Sequence, residues 1–502
     1  QLLNIANKYG SPLYVYDTDK IESQYNRLTD AFSSVKNLKL NYAVKALSNI
    51  NILKFFKNIG AGLDTVSIQE VQLGLTTGID PKKIIFTPNG VSLNEIEEVA
   101  KLGVQINIDN LSILELFGQK HPEIPVCIRI NPHIMAGGNS KISVGHIDSK
   151  FGISIHQVPH IKRVVENTGM NINGIHMHTG SDILDIDTFL RATEILFDVA
   201  KQFDNIDFID FGSGFKVPYK EGDISTDIEQ LGLQLSERFN EFCVEYGKEI
   251  TLMFEPGKFL VSDAGVFLAK VNVVKQTTST VFAHVDSGFN HLVRPMMYDS
   301  YHHITNISNP EGRDRYYSVV GYICETDTFG SNRRIAEISE EDVLCFHNAG
   351  AYCFSMASNY NSRYLPAEVM LYKGKDYLKS RGIDLDSIKH FSLGYSDNMD
   401  MITVPVHSPD GIPVGVVGRS ISDKRFKNSK DLPRSKTMFN IHRAKKIGDK
   451  VIVVESSFDA IRVHQAGFPN VVATLGGHIS GDNLKLLNRY FNTVIIMTDS
   501  DK

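Results

Sequence analysis

From residue 38 to residue 257 the chain alternates short apolar runs with longer stretches in which apolar residues recur every three or four positions. The short runs fall at 38–45, 62–66, 83–87, 105–109, 126–131, 174–178, 208–212 and 251–255. Runs of this length and composition predict strands. The longer stretches, among them 50–59, 93–102 and 189–203, carry the spacing of one helix face. Strand and helix in alternation predict a parallel sheet covered by helices. Eight such strands in about 220 residues fit a (β/α)8 barrel, with a doubly wound open sheet as the rival arrangement.

Past residue 261 the pattern changes. Runs at 266–274, 316–322 and 367–372, separated by turn-forming segments, predict an antiparallel β domain, and the run 12–17 supplies it with a further strand. A second α/β pattern starts near residue 380. The expected division is an N-terminal strand segment at 1–20, a barrel at 21–260, a β domain at 261–378 and a smaller α/β domain at 379–502.

Charge separates the last of these from the rest. Residues 381–502 carry 17 Lys and Arg against 13 Asp and Glu, whereas the first 380 carry 35 against 45. Two units with different partners are expected from such asymmetry. With 42% apolar and 22% charged residues the composition is globular. No apolar run approaches the roughly 18 residues of a membrane helix, and residues 1–17 lack a basic-then-apolar leader pattern. The five cysteines form no CxxC pair, which fits reduced thiols in the cytoplasm. A first residue other than Met, and an end directly after the apolar run 493–497, read as a fragment.

In a barrel enzyme the working groups stand at the C-terminal ends of the strands. Those ends here bear Lys45; Asp64 and Ser67; Asn89; Asp109; Arg129 and Asn131; His176 and His178; Gly212, Ser213 and Gly214; and Glu255 with Lys258. Polar groups in apolar runs are costly unless paired, so their recurrence at one edge argues for a site. Lys45, desolvated and with a lowered pKa, can form a Schiff base with an aldehyde, although a lysine snorkelling to solvent is the commoner case. Gly180 with Ser181, and the turn Gly212 to Gly214, let backbone N–H groups approach an anion, though either can be an ordinary turn. Glu255 can keep a pyridine nitrogen protonated, or pair with Lys258. His178 can stack on a flat ring or be a satisfied core histidine. Together these describe a pyridoxal phosphate site.

The ordered motifs Tyr42-Ala-Val-Lys45, Gly62-Leu-Asp-Thr-Val-Ser67, Ser149-Lys-Phe-Gly152, His176-Met-His-Thr-Gly-Ser181, Glu255-Pro-Gly257, Arg294-Pro295, Cys324-Glu325 and Gly350-Ala-Tyr352 resemble the diaminopimelate decarboxylase family, of the alanine-racemase-like group, over residues 10–375. The resemblance implies a homodimer that decarboxylates meso-2,6-diaminopimelate to L-lysine with pyridoxal 5'-phosphate. A related basic-amino-acid decarboxylase is the alternative. By carry-over, Lys45 binds the cofactor covalently and Glu255 meets its ring nitrogen. His178 stacks on the ring, Ser181 and Gly214 cradle the phosphate, and Tyr352 completes the pocket. Arg294, Tyr298 and Lys258 bind substrate. Cys324 and Glu325 enter the neighbouring subunit's site, Cys324 as proton donor and Glu325 also on the substrate. Two departures stand out: Lys258 occupies a position where many relatives have arginine, and the glycine turn reads Gly-Ser-Gly rather than three glycines.

Ten Lys and Arg fall within 419–446, against Asp423 and Asp431. Such a cluster suits nucleic acid or forms a solvated basic face. Leu393-Gly-Tyr395, Gly415-Val-Val-Gly-Arg419, Val453-Val-Glu455 and Asp499-Ser-Asp501 resemble the catalytic core of bacterial-type DNA primases, with a truncated Toprim fold. The resemblance implies Mg²⁺ held by Glu455, Asp499 and Asp501, with Lys424 and Arg425 near template or nucleotide. A nucleic-acid protein acting through 381–502 is the rival reading of the whole chain, and the union of the two halves reads as a fusion.

Overall fold

The computed structural model describes residues 1–134, 148–372, 375–376, 387, 390–396, 401–420, 426–476 and 479–497. The chain forms two compact units, Gln1–Gly374 and Lys375–Lys502.

In the first unit, strand β1 (Leu13–Asp17) precedes a run of parallel strands: β2 (Leu38–Ala43), β3 (Gly62–Thr65), β4 (Ile84–Phe86), β5 (Gln105–Ile108), β6 (Val126–Asn131), the two-residue β7 (Ile153–Ser154), β8 (Ile172–His176), β9 (Phe208–Asp210) and β10 (Thr251–Phe254). All but β1 and β7 pair in a closed ring, because β5 also joins β6 and β10 joins β2. The eight-stranded barrel expected from the alternation is therefore present, and the open sheet is excluded.

Alternation along the strands builds the interior in layers. Ile85, Cys127, Phe208 and Met253 form a buried apolar cluster of their own, on β4, β6, β9 and β10. Side chains two positions apart on a strand share a face. The residues two steps further on are Thr87, Arg129, Asp210 and Glu255, all buried. An apolar plug thus carries a polar layer directly above it, at the C-terminal ends of the strands.

Helices cover the outside, and their starts follow capping chemistry. Ser67 caps Ile68–Thr76, Ser92 caps Leu93–Ala100 and Asn110 caps Leu111–Lys120, each through its side-chain oxygen. Ser67 is thereby committed to a helix start, although it stands among the strand-end groups.

The β domain comprises β11 (Gly265–Gln276), β12 (Val281–Val285), β13 (Ile304–Asn306), β14 (Asp314–Val320), β15 (Thr328–Ala336), β16 (Val343–Phe346) and β17 (Ala367–Tyr372). Strand β1 lies between β11, antiparallel, and β17, parallel. The pair β12 and β14 is also parallel within an otherwise antiparallel sheet.

The second unit holds an antiparallel sheet of β18 (Gly394–Ser396), β19 (Met401–His407), β20 (Pro413–Ser420) and β21 (Phe426–Asn428). A separate parallel sheet has β22 (Lys450–Val454) between β23 (Val471–Ala473) and β24 (Thr493–Ile496). Capping boxes at Ser456 with Asp459 and at Ser480 with Asn483 start its helices Ser457–Gln465 and Gly481–Tyr490. Among the described residues no helix is long and apolar enough to cross a membrane.

Candidate active site

Lys45 follows β2 on a single helical turn, Val44–Ala46. Its Nζ lies 2.7 Å from Asp64 Oδ2 on β3, the lysine side chain 40% exposed and the carboxylate fully enclosed. The amine stands at the barrel mouth with its counterion inside. Burial works to lower its pKa, but the negative charge of Asp64, with Tyr352 and Glu255, outweighs that and raises it. This corrects the expectation of a lowered value: desolvation acts in the expected direction, but the carboxylate on the next strand outweighs it.

Glu255 lies at the other side of the layer. Its Oε2 is 3.0 Å from His176 Nε2, and its Oε1 accepts a hydrogen bond from Thr87 Oγ1 at 3.3 Å. Burial favours the neutral acid, yet His176 and Lys45 bring the pKa down to about 2. Glu255 is thus an enclosed carboxylate. It does not pair with Lys258, which is bonded to Asp182 instead.

His178 faces the opposite charge problem. Burial, with Arg129 and Lys45 adding repulsion, lowers its pKa to about 3, so the ring is neutral. The backbone N–H of Ser213 donates to its Nδ1 at 3.3 Å, which leaves the proton on Nε2. A neutral imidazole tied to the glycine turn offers a flat face at low cost.

The turn after β9 requires glycine at both ends. Gly214 has φ 122°, and a Cβ there would run into the carbonyl oxygen of Gly180, beside Ser181. Gly212 has φ 62°, and its Cβ would come within 2.7 Å of His178 Nδ1. Only Gly at these points lets the two loops approach this closely, Gly214 against Gly180 and Gly212 against His178. Ser213 sits between them at an ordinary backbone conformation, so the departure from three glycines leaves the turn intact.

Arg294 and Tyr298 share the short helix Arg294–Tyr298. The Arg294 guanidinium lies 5.8 Å from the rings of both Tyr219 and Tyr298, donates to Ser300 Oγ at 3.3 Å, and has a buried Nε without a partner among the described residues. Tyr352 adopts φ 55°, its N–H donating to Ala46 O next to Lys45.

Cys324 and Glu325 occupy the loop between β14 and β15 and are exposed, while the other four cysteines are buried. Glu325 accepts from Tyr360 Oη at 2.6 Å, and Asn361 Nδ2 lies 3.7 Å from Cys324 Sγ. The loop is built from beneath by the buried Asp327, whose carboxylate takes the N–H groups of Phe289 at 2.6 Å and Ile323 at 2.8 Å. A buried structural thiol is excluded for Cys324.

Some groups went unrecognised in the sequence. Asp210 and Thr87 belong to the inner layer, and Asp182 partners Lys258. A lone acid between Phe208 and Phe211, two residues past an inward apolar position, was the available signal for Asp210.

In the second unit Glu455 directly follows β22, half-buried, and β24 runs parallel beside it. Asp499 and Asp501, like Lys424 and Arg425, lie outside the described residues. Of the basic stretch, Lys427, Lys430, Arg434, Lys436 and Lys446 are exposed, whereas Arg443 donates to His390 O and Lys445 lies over the Tyr490 ring.

The residues fit pyridoxal phosphate: an enclosed carboxylate, a neutral ring to stack, a glycine cradle and a reachable amine. A parallel barrel with that set at its mouth defines a pyridoxal phosphate enzyme, and residues 18–262 match the pyridoxal-binding domain of the pyridoxal-dependent decarboxylases. Diaminopimelate decarboxylase of Methanothermobacter thermautotrophicus is 38% identical over 390 residues, 76% of this chain and 91% of the relative. The chain belongs to the diaminopimelate decarboxylase family. The enzyme of that name from Escherichia coli K12 is 34% identical over 78% of this chain and 96% of its own length. Among solved structures, diaminopimelate decarboxylase from Helicobacter pylori complexed with L-lysine superposes with a TM-score of 0.68 at 29% identity, over 74% of this chain and 94% of that one. Residues 449–502 match the Toprim domain.

Proposed function

We propose that the chain removes one carboxyl group from meso-2,6-diaminopimelate, giving L-lysine and carbon dioxide, with pyridoxal 5'-phosphate bound at the barrel mouth. The carrying observation is that Lys45, its counterion Asp64 and the enclosed carboxylate Glu255 share one polar layer. When bound, the cofactor supplies an electron sink for the pair released by the departing carboxyl group. Lys45 supplies the amine that attaches it. Glu255, a carboxylate at any ordinary pH, receives a hydrogen bond from a protonated ring nitrogen. His178 stacks as a neutral ring, and Ser181 and Gly214 hold the phosphate.

At the substrate's far end, Arg294 and Tyr298 take the carboxylate that is retained, which suits a substrate ending in an anion better than ornithine, which ends in an amine. Lys258, bonded to Asp182, contributes a point charge there rather than a bidentate fork. Cys324 and Glu325, exposed on their loop, serve a second copy of the chain, Cys324 giving a proton from Sγ to the carbon that has lost its carboxyl group. The working form is then a homodimer. Tyr360, Tyr364 and Leu365, exposed beside this loop at 44%, 91% and 40%, are suited to its interface. Five unpaired cysteines fit a cytoplasmic location.

Incubation of the purified protein with meso-diaminopimelate, ornithine and arginine, followed by product analysis, tests this reading. Lysine and carbon dioxide from the first are expected. Turnover of ornithine alone overturns it.

We read the domain limits as 1–20, 21–260, 261–378 and 379–502. For the last of these the reading is a Toprim-like domain in which Glu455, Asp499 and Asp501 hold Mg²⁺. Nucleic acid binds through 419–446, supported by the exposed lysines there and the match at 449–502. Salt-sensitive binding of single-stranded DNA that vanishes without residues 375–502 is the expected result.

A further inference from the structure

Gly212 is held from three sides. Its N–H donates to Asp210 Oδ1 at 2.8 Å, its carbonyl accepts the backbone N–H of Glu255 at 2.6 Å, and the N–H of Ser213 beside it holds His178. One residue thus joins the strand end bearing Glu255, the stacking histidine and the turn leading to Gly214. Of these ties, that from Asp210 is the one made by a side chain with no other assigned role. His176, Asp210 and Glu255 each bring a side-chain N or O atom within 4.8 Å of the others.

We propose that Asp210 is a positioning residue: its carboxyl, accepting from the Gly212 N–H, fixes that residue and so aligns the phosphate turn with Glu255. The inference rests on the cofactor reading above and extends it to a residue that touches neither substrate nor cofactor. Asp210 is fully buried, and its Oδ2 has no hydrogen-bond partner among the described residues. A second anion in that place, next to Glu255, would lack the compensation that burial demands. Burial first, then the charge of Glu255, push its carboxyl well above the ordinary carboxylate range, against the pull of the Gly212 N–H. A neutral carboxyl keeps its acceptor for Gly212 and leaves Glu255 as the anion facing a ring nitrogen.

If so, the amide of Asp210→Asn reproduces the working form, whereas Asp210→Ala releases the turn. Equilibrium dialysis of the apoprotein against pyridoxal 5'-phosphate and against phosphate-free pyridoxal separates the two arms. Asp210→Asn is expected to bind both within about twofold of the unaltered protein. Asp210→Ala is expected to weaken the phosphorylated form about tenfold or more and pyridoxal by less than about threefold. Should the alanine variant prove unfolded by circular dichroism, Asp210→Ser takes its place with the same expectation. An asparagine variant as weak as the alanine one, or equal losses for both ligands, overturns the proposal. Failure of the unaltered protein to bind pyridoxal phosphate overturns the cofactor reading itself, and this inference with it.

Discussion

The Nζ of Lys45 and the Oδ2 of Asp64 lie 2.7 Å apart, and only the lysine reaches solvent. Neighbouring strands β2 and β3 set this pair in register, Ala43 opposite Asp64. The site therefore stores its amine as an ammonium, against the tendency of burial. A proton must leave Lys45 before it can act as a nucleophile, and Asp64 is the base within reach.

Replacing Asp64 by Asn removes the nearest anion and leaves burial opposed only by Tyr352 and Glu255, so the Lys45 pKa falls. Competitive acylation of the apoprotein, read at Lys45 by peptide mass spectrometry, reports the neutral amine. In the unaltered protein labelling rises about tenfold per pH unit across pH 7–9, and in Asp64→Asn it levels off within that range. Identical profiles would show that Asp64 does not set the charge.

Glu255 has its folded pKa depressed to about 2. A depressed carboxylate stabilises the fold above its ordinary value near 4.3, and that contribution is lost as pH falls towards 2. Urea unfolding of the apoprotein between pH 4.5 and 3 should lose at most about 1.4 kcal/mol per pH unit more than Glu255→Gln does. Parallel curves for the two proteins would contradict the assignment.

His178, lowered to about 3, has the reverse chemistry but the same sign. The unfolded chain takes up a proton near pH 6.5 while the folded one does not, so stability falls as pH drops from about 6.5 towards 3. Over pH 6.5–5, above the range in which Glu255 titrates, His178→Gln should flatten part of this slope. Cofactor affinity of the unaltered protein should stay level over the same interval as far as His178 governs it.

Gly214→Ala places a methyl group against Gly180 O at φ 122°. Backbone strain alone costs about 1–3 kcal/mol. The denaturation midpoint should fall accordingly, and affinity for pyridoxal phosphate should fall more than that for pyridoxal. A variant with unchanged midpoint and affinity would remove the turn from the site.

If Cys324 serves the neighbouring subunit, Lys45→Ala and Cys324→Ala are each nearly inactive alone and complement one another. Random exchange of two isologous chains makes half the dimers mixed, each with one intact site, so about a quarter of full activity returns. Assays before and after mixing check this. No recovery, with dimers shown to exchange, argues that Cys324 acts within its own chain.

Much of the barrel was legible because its eight strands are short apolar runs at regular intervals, and this periodicity is local. Lys45, His178, Gly214 and Glu255 stand out for the same reason, as polar or small residues interrupting such runs. Asp64 and Asp210 carry the same signal, yet their roles depend on which strand lies alongside. Lys258 illustrates the limit: three residues past Glu255, it turns to Asp182, 76 positions earlier in the chain.

Periodicity and composition alone determined the order of elements, the parallel strand–helix alternation and the acidic-to-basic change near residue 380, because each depends on residues close together in the chain, whereas closure into a barrel rests on β5 pairing with β6 and β10 with β2. The tertiary structure decided the charge states. Whether Lys45 is an ammonium and Glu255 a carboxylate follows from burial and from partners on other strands, since both the desolvation cost and the Coulomb energy depend on distances in space.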